Sequence, residues 1–526
     1  MDAARPSLIC LRTLVLLIHT TACGSTVTAY ISKARKHVVE ATMNTHLANG
    51  TARMHELLAQ QRAAFVHAGP PPLNQRRADL KKLRSVVLAR RTEIEAMLNA
   101  DFGHRSRHET AIMEIVSLVQ GIDYLHRNLR GFMRPTRRHV ALPFRFGSAR
   151  IEYQPLGVIG IMAPWNYPLS LALMPLATAI AAGNRAMIKP SEFTPATSEL
   201  LARMLAQIFT QEQVAVVTGD ASVGASFSAL PFDHLIFTGS TSVGRAVMKS
   251  ASENLTPVTL ELGGKSPVIV AKGYALDHAA AGIAYGKLSN AGQTCIAPDY
   301  ALVHEDEIGA FITAYEKAVA ALYPSGPTSD DYTCIINDRH YARLTALLDD
   351  ARAKGARILE VGRNPGDASR RSRTLAPTIV LDSNDDMRIM QEEIFGPVLP
   401  VRSYRDLDEA IGYINAQSRP LALYYYGRDG EHRRKVLSRT TSGNVTINGT
   451  LMHYAQDDLP FGGVGPSGMG VYHGIEGFRR LSHAKGIFEQ GRWNGANLLR
   501  APFGPLTETI LKFMLRQIAA FSLASL

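Results

Sequence analysis

The stretch LGVIGIMAPWNYPLSLALMPLATAIAAGNRAMIKPSE, Leu156 to Glu192, reads as a strand, a helix and a second strand. Leu156 to Pro164 is rich in β-branched and apolar residues and stops at a proline, which cannot donate to a ladder. From Leu169 to Asn184 the residues are small and apolar over helical length, and Gly183 supplies the helix stop. RAMIK then resumes extended structure. A strand that returns after a helix lies parallel to the first, because only a crossover of this length brings the chain back in the same direction.

Outward from this unit the alternation continues with EQVAVVTG, DHLIFTGS and TPVTLELGG, and again with DYALVH, PTIVL and GPVLPVRSY. Alternation of this kind predicts an α/β fold of two blocks, each a parallel sheet covered by helices on both faces. A chain of 526 residues exceeds one hydrophobic core, and 46% apolar with 20% charged residues describes a folded protein. The formal net charge of +11 is spread along the whole chain. Its densest stretch, Arg127 to Arg150, holds Arg130, Arg134, Arg137, Arg138 and Arg145 without a nucleic-acid motif, so a solvated face is expected and no nucleic-acid partner. Cys10, Cys23, Cys295 and Cys334 show neither CxxC nor zinc spacing, which predicts reduced thiols, a cytoplasmic setting and no metal site.

The two ends differ from the middle. Residues 1–49 read as an atypical leader, whose apolar run from Ser7 to Cys23 is broken by Arg12 and makes a poor export signal. Met43 and Met54 are alternative functional starts. In the tail ETILKFMLRQIAAFSLASL, Ile510, Leu511, Met514, Leu515 and Ile518 fall on one helical face. Such a helix is amphipathic and does not span a bilayer; it is expected to pack on the body or a partner subunit, with peripheral membrane contact as the alternative.

Chemistry concentrates at strand ends. GSTSVGRA, Gly239 to Ala246, follows the strand LIF and opens a helix whose first N–H groups suit a phosphate, but Arg245 and Ala246 stand where a P-loop needs Lys and Ser or Thr. The turns of this block also lack the GxGxxG fingerprint. An ordinary βα turn fits GSTSVGRA equally well. In IKPSE, Lys189 and Glu192 emerge together around a stiff Pro190, an arrangement that suits ribose hydroxyls. Cys295, in NAGQTCIAP, has small neighbours that leave a substrate room, with Gln293 and Thr294 as polar neighbours; a positive local potential would lower its pKa. In ELGGKSP, Glu261 precedes two glycines that would let it swing. PWNYP sets the Asn166 amide on a rigid turn. Thiol, carboxylate and amide together suit acyl-transfer chemistry.

APWNYPL, MIKPSEFTP, FTGSTSVGR, LELGGKSP, GQTCIAP, EEIFGPV and PFGGVGPSGMG occur in the order found in the NAD(P)-dependent aldehyde dehydrogenase superfamily. The resemblance covers about residues 54–490, and NAGQTCIAPDY, GVGPSGMGVYHG and LSHAK are most similar to coniferyl aldehyde dehydrogenases. Where several branches carry Trp-Lys after the asparagine, Met174 and Pro175 stand here, as in the coniferyl type.

The resemblance implies a Rossmann-like cofactor domain over residues 50–264 with oligomerisation strands near 149–158, and an α/β catalytic domain over 265–455. It also implies a C-terminal segment, 456–526, returning over the body, and a homodimer. Cys295 matches the nucleophile, Glu261 the base that activates water, and Asn166 with the Cys295 N–H the oxyanion hole. For the cofactor, NAD with NADP possible, Lys189 and Glu192 match adenine-ribose contacts and Gly239 and Ser240 the pyrophosphate turn. Glu393 and Phe395 match nicotinamide-ribose contacts, with Trp165 beside them. Glu192 would repel a 2′-phosphate and favours NAD. Cys334 matches no active-site position and reads as structural. The substrate implied is a coniferyl-type aromatic aldehyde, with medium-chain aliphatic aldehydes as the alternative; a catalytically silent scaffold would have lost Cys295, Glu261 or Asn166.

Overall fold

In the computed structural model, which describes residues 50–362 and 371–524, the central unit forms as two parallel strands around the helix Ser170–Ala182. These strands, β3 (Val158–Met162) and β4 (Arg185–Lys189), belong to a sheet with β5 (Val214–Val216), β6 (His234–Gly239) and β7 (Val258–Leu262). All five run parallel in the order β7-β6-β3-β4-β5, and β15 (Gly468–Met469) closes the β7 edge antiparallel. Gly183 ends the helix with φ 90°, and its N–H bonds back to Ile180, so the turn into β4 needs the left-handed residue that the sequence provides. Every residue of β3 and β7 is buried, as a sheet covered on both faces requires.

A second sheet follows in the chain: β8 (Pro267–Val270), β9 (Tyr300–His304), β10 (Arg357–Glu360), β11 (Thr378–Leu381), β12 (Val398–Tyr404), β13 (Ala422–Tyr426) and β14 (Asn444–Ile447). Its order is β10-β11-β12-β9-β8-β13-β14, parallel except for the β10 edge. The third sheet joins β1 (Thr136–Arg138), β2 (Ser148–Pro155) and β16 (Ser482–Glu489), antiparallel throughout. The C-terminal segment therefore adds a strand to each of two sheets, β15 beside β7 and β16 beside β2.

Arg130, Arg134, Arg137, Arg138 and Arg145 are exposed around β1. The helix Pro505–Ala524 forms, but the apolar face expected on it is divided: Leu511 and Leu515 are exposed, Ile510 and Met514 half-buried. The side chain of Ile518 and the leader of residues 1–49 lie outside the described residues. Among the described residues no helix is long and apolar enough to cross a membrane.

Candidate active site

The parallel strands deliver their carboxyl ends to one edge of the first sheet, where α/β folds bind ligands. β3 runs into Ala163 to Asn166, β4 ends at Lys189, β6 ends at Gly239 and β7 carries Glu261. Lys189 Nζ donates to Glu192 Oε2 at 2.9 Å, and Pro190, Glu192, Thr218 and Gly219 line a groove beyond β4 and β5. Ser240 caps the helix Thr241–Ser252, its Oγ accepting from the Val243 N–H at 3.4 Å. This exposed helix start and the half-exposed Glu192 carboxylate suit the pyrophosphate and ribose of a dinucleotide. A GxGxxG string does occur, at Gly463 to Gly468, but it turns into β15 and opens no helix.

Cys295 follows the short 3-10 turn Ser289–Gly292, in which Asn290, Ala291 and Gly292 take φ of 53°, 50° and 75°. Three successive left-handed residues store strain, and the surroundings hold them. Glu109 accepts the Asn290 N–H, and its second oxygen accepts from Thr333 Oγ1 at 2.6 Å. Gln293 and Thr294 are committed to the loop rather than available to a substrate. Gln293 Nε2 donates to the carbonyls of Asn290 and Cys334 at 2.9 and 3.0 Å and its Oε1 accepts the Ile336 N–H at 2.9 Å, while Thr294 Oγ1 meets Tyr167 OH at 2.8 Å.

The electrostatics of the thiol overturn one expectation. Instead of a positive potential lowering the Cys295 pKa, burial and the carboxylates of Glu393 and Glu261 push it up to about 12, opposed by the N–H groups of Cys295 and Ile296. Glu261 is itself enclosed in β7, and neither carboxylate oxygen has a hydrogen-bond partner. Burial holds its carboxyl well above the usual range. Here its side chain is packed within the strand rather than projecting from the two glycines that follow. Gly263 instead makes room for another carboxylate, because a Cβ there would overlap Glu393. Glu393 Oε1 accepts the Gly264 N–H at 3.2 Å, and burial followed by Asp299 raises its pKa to about 8.

Asn166 is buried against the cysteine loop, its Nδ2 donating to the Gln293 carbonyl at 3.1 Å with one N–H to spare. Trp165 packs edge-on to Phe395, ring centroids 5.3 Å apart, and lies 4.9 Å from the His340 ring. Cys334 is buried, with Sγ 3.4 Å from Thr374 Oγ1. Among the described residues no cluster of His, Cys, Asp and Glu suits a metal ion.

Residues that the sequence does not single out complete the site. Tyr424 OH donates to the Ile296 carbonyl at 2.5 Å. Tyr454, Phe461, Tyr472 and His473 form an aromatic cluster, with Tyr454 and His473 centroids 5.0 Å apart, and the charges of Cys295 and Glu261 are felt at Tyr454 and Tyr472. Arg105 and Glu114 lie behind Asn166. Only the aromatic residues of GVYHG and MHYAQ carried any local signal.

Residues 27–487 match the model of the aldehyde dehydrogenase family. The chain is 50% identical over 452 residues to a "Probable coniferyl aldehyde dehydrogenase" of Pseudomonas aeruginosa, covering 86% of this chain and 94% of that protein. It is 46% identical over 472 residues to the "Coniferyl aldehyde dehydrogenase" of a Pseudomonas species, covering 89% and 97%. Among solved structures, the substrate-bound state of Staphylococcus aureus AldH superposes with a TM-score of 0.82 at 37% identity, over 88% of this chain and 99% of that one. An aldehyde dehydrogenase of Mycobacterium tuberculosis complexed with NAD+ gives 0.75 at 27% identity, over 83% and 90%. With the strand-edge groove and the half-buried thiol already in place, these matches mean that the chain belongs to the aldehyde dehydrogenase family, enzymes that oxidise aldehydes with NAD(P).

Proposed function

We propose that the protein oxidises coniferyl-type aromatic aldehydes to carboxylic acids, with Cys295 as nucleophile, Glu261 as base and Asn166 as oxyanion donor. The observation that carries this reading is the half-buried Cys295 thiol within the electrostatic reach of the buried Glu261 carboxylate, whose oxygens have no hydrogen-bond partner among the described residues. In the free enzyme the Cys295 thiol, pushed up to about 12, is protonated at neutral pH, and burial holds the Glu261 carboxyl well above its ordinary range. As Sγ bonds the aldehyde carbon, the thiol proton is released to solvent, and the spare Asn166 N–H with the Cys295 N–H stabilises the developing oxyanion. NAD(P), when bound in the groove, supplies the acceptor for the hydrogen that leaves the thiohemiacetal carbon with its electron pair. Glu261 then takes a proton from water, whose oxygen attacks the resulting thioester; the acid departs and Cys295 regains its proton.

Lys189, Glu192, Gly239 and Ser240 hold the adenosine and pyrophosphate on this reading, and Trp165, Glu393 and Phe395 border the nicotinamide end. A carboxylate at Glu192 disfavours a 2′-phosphate, so NAD is preferred. The cofactor domain corresponds to residues 50–264, the catalytic domain to 265–455 and the returning segment to 456–526. A homodimer built through the β1-β2-β16 sheet and a cytoplasmic setting, consistent with the unbridged Cys295 and Cys334, complete the reading.

The two Pseudomonas relatives favour an aromatic substrate over an aliphatic one. The test is initial-rate kinetics of NADH and NADPH formation with coniferaldehyde, benzaldehyde and straight-chain aldehydes. A kcat/KM for coniferaldehyde above the aliphatic series, and faster with NAD, is expected. Faster medium-chain aldehydes would make the enzyme a general aldehyde oxidiser.

A further inference from the structure

Arg105 is fully enclosed, as is its ion-pair partner Glu114, 3.5 Å away. Burying such a pair carries a large desolvation cost, and well-packed apolar residues in place of both partners are often as stable. The guanidinium is also poorly satisfied: Nε and Nη2 have no hydrogen-bond partner. Stability therefore does not account for an arginine here, whereas its contacts do.

Its one hydrogen bond runs from Nη1 to the Asn166 carbonyl at 3.0 Å. Its flat face lies over the Tyr167 ring, 5.1 Å from the centroid, with Phe102 at 4.7 Å. These two adjacent residues are the ones that reach the cysteine loop, Asn166 Nδ2 to the Gln293 carbonyl and Tyr167 OH to Thr294 Oγ1. Glu114 holds the other end of the same turn, because its Oε2 accepts the N–H of Ser170 at 2.7 Å, where the helix Ser170–Ala182 begins. Glu114 sits in a π-helical turn, Ala111–Val116, between two α-helical stretches, a distortion frequent at functional sites. The turn from Asn166 to Ser170 is thus gripped at both ends, and the ion pair ties the two grips together.

We infer that the buried Arg105–Glu114 pair is a clamp that sets the Asn166 amide against Cys295. Both are positioning residues; neither touches the reacting atoms. The inference rests on the oxyanion role proposed for Asn166, and it adds a distinct claim: Arg105 contributes to rate only through that amide.

A double-mutant cycle in the full-length enzyme tests it, read as first-turnover NADH formation with whichever aldehyde the wild type oxidises. Arg105→Met slows that step at least about tenfold, the scale of a misplaced oxyanion donor. Its NAD affinity stays within about twofold, while its melting temperature falls, because Glu114 is left buried without its partner; Arg105→Met/Glu114→Gln, which removes both charges, restores the melting temperature but not the rate. Arg105→Lys, which keeps the charge and most of the volume, recovers part of the rate and serves should the Met variant not fold. In an Asn166→Ala background either change at Arg105 costs nothing further, because the amide it serves is gone. A slow Asn166→Ala beside an Arg105→Met or Arg105→Lys variant at wild-type rate overturns the clamp alone, as does a loss that adds in full to that of Asn166→Ala. An Asn166→Ala enzyme at wild-type rate overturns the amide's role and the clamp with it.

Discussion

Glu261 faces Gly468 across the β7–β15 pair, so the returning C-terminal segment seals the strand that holds the carboxylate, and Gly462 packs beside its Oε1. A side chain at Gly462 would crowd this carboxylate, whereas one at Gly468 would meet the Leu260 carbonyl oxygen. The enclosure explains why the carboxyl is held far above its ordinary pKa: water is excluded and no donor replaces it.

Glu261→Gln should permit NADH formation in the first turnover but slow thioester hydrolysis, giving a burst followed by slow steady turnover. In the wild type the hydrolytic step should accelerate as pH rises, because the base works only when ionised. A carboxyl whose folded-state pKa is raised favours the fold below its unfolded pKa and loses that contribution as pH rises through the folded value. Glu261→Gln, which has no carboxyl to ionise, should therefore gain in melting temperature relative to wild type as pH rises. Stopped-flow traces and thermal melts check both; unchanged steady-state turnover excludes the base role.

Cys295 should alkylate slowly in the free enzyme at neutral pH. With its thiol pushed up to about 12 by burial and by the Glu393 and Glu261 carboxylates, the iodoacetamide rate should still be climbing at about pH 9. Removing one repelling charge, as in Glu393→Gln, should raise the rate at high pH. A plateau near neutrality contradicts this electrostatic picture.

Gly292→Ala should destabilise the fold by about 2 kcal/mol or more. Its φ of 75° strains any side chain, and a Cβ would overlap the Gly396 carbonyl oxygen. Urea unfolding with an unchanged midpoint would show that the loop tolerates another path.

What the sequence displays locally matches the structure well. The apolar runs of β3, β6, β7, β9, β11 and β12 stand out because strands buried on both faces need no polar alternation, and Gly183 marks a helix end by its own backbone freedom. Long-range effects leave no such mark. Nothing in the local sequence marks Arg105 or Glu114, yet Arg105 reaches Asn166 across 61 positions and Glu114 reaches Ser170 across 56, and both are buried. The rise in the Cys295 pKa has the same origin, since its causes sit on distant strands and loops. The glycine pair after Glu261 signalled freedom of movement, whereas Gly263 is small because Glu393 fills the space beside it.

The most direct test of the account is to incubate Glu261→Gln with NAD and coniferaldehyde, quench, and map the acylated peptide by mass spectrometry. The account predicts a feruloyl thioester on Cys295, absent from Cys295→Ala treated in the same way. NADH formed without any adduct, or an adduct on Cys334 instead, would contradict it.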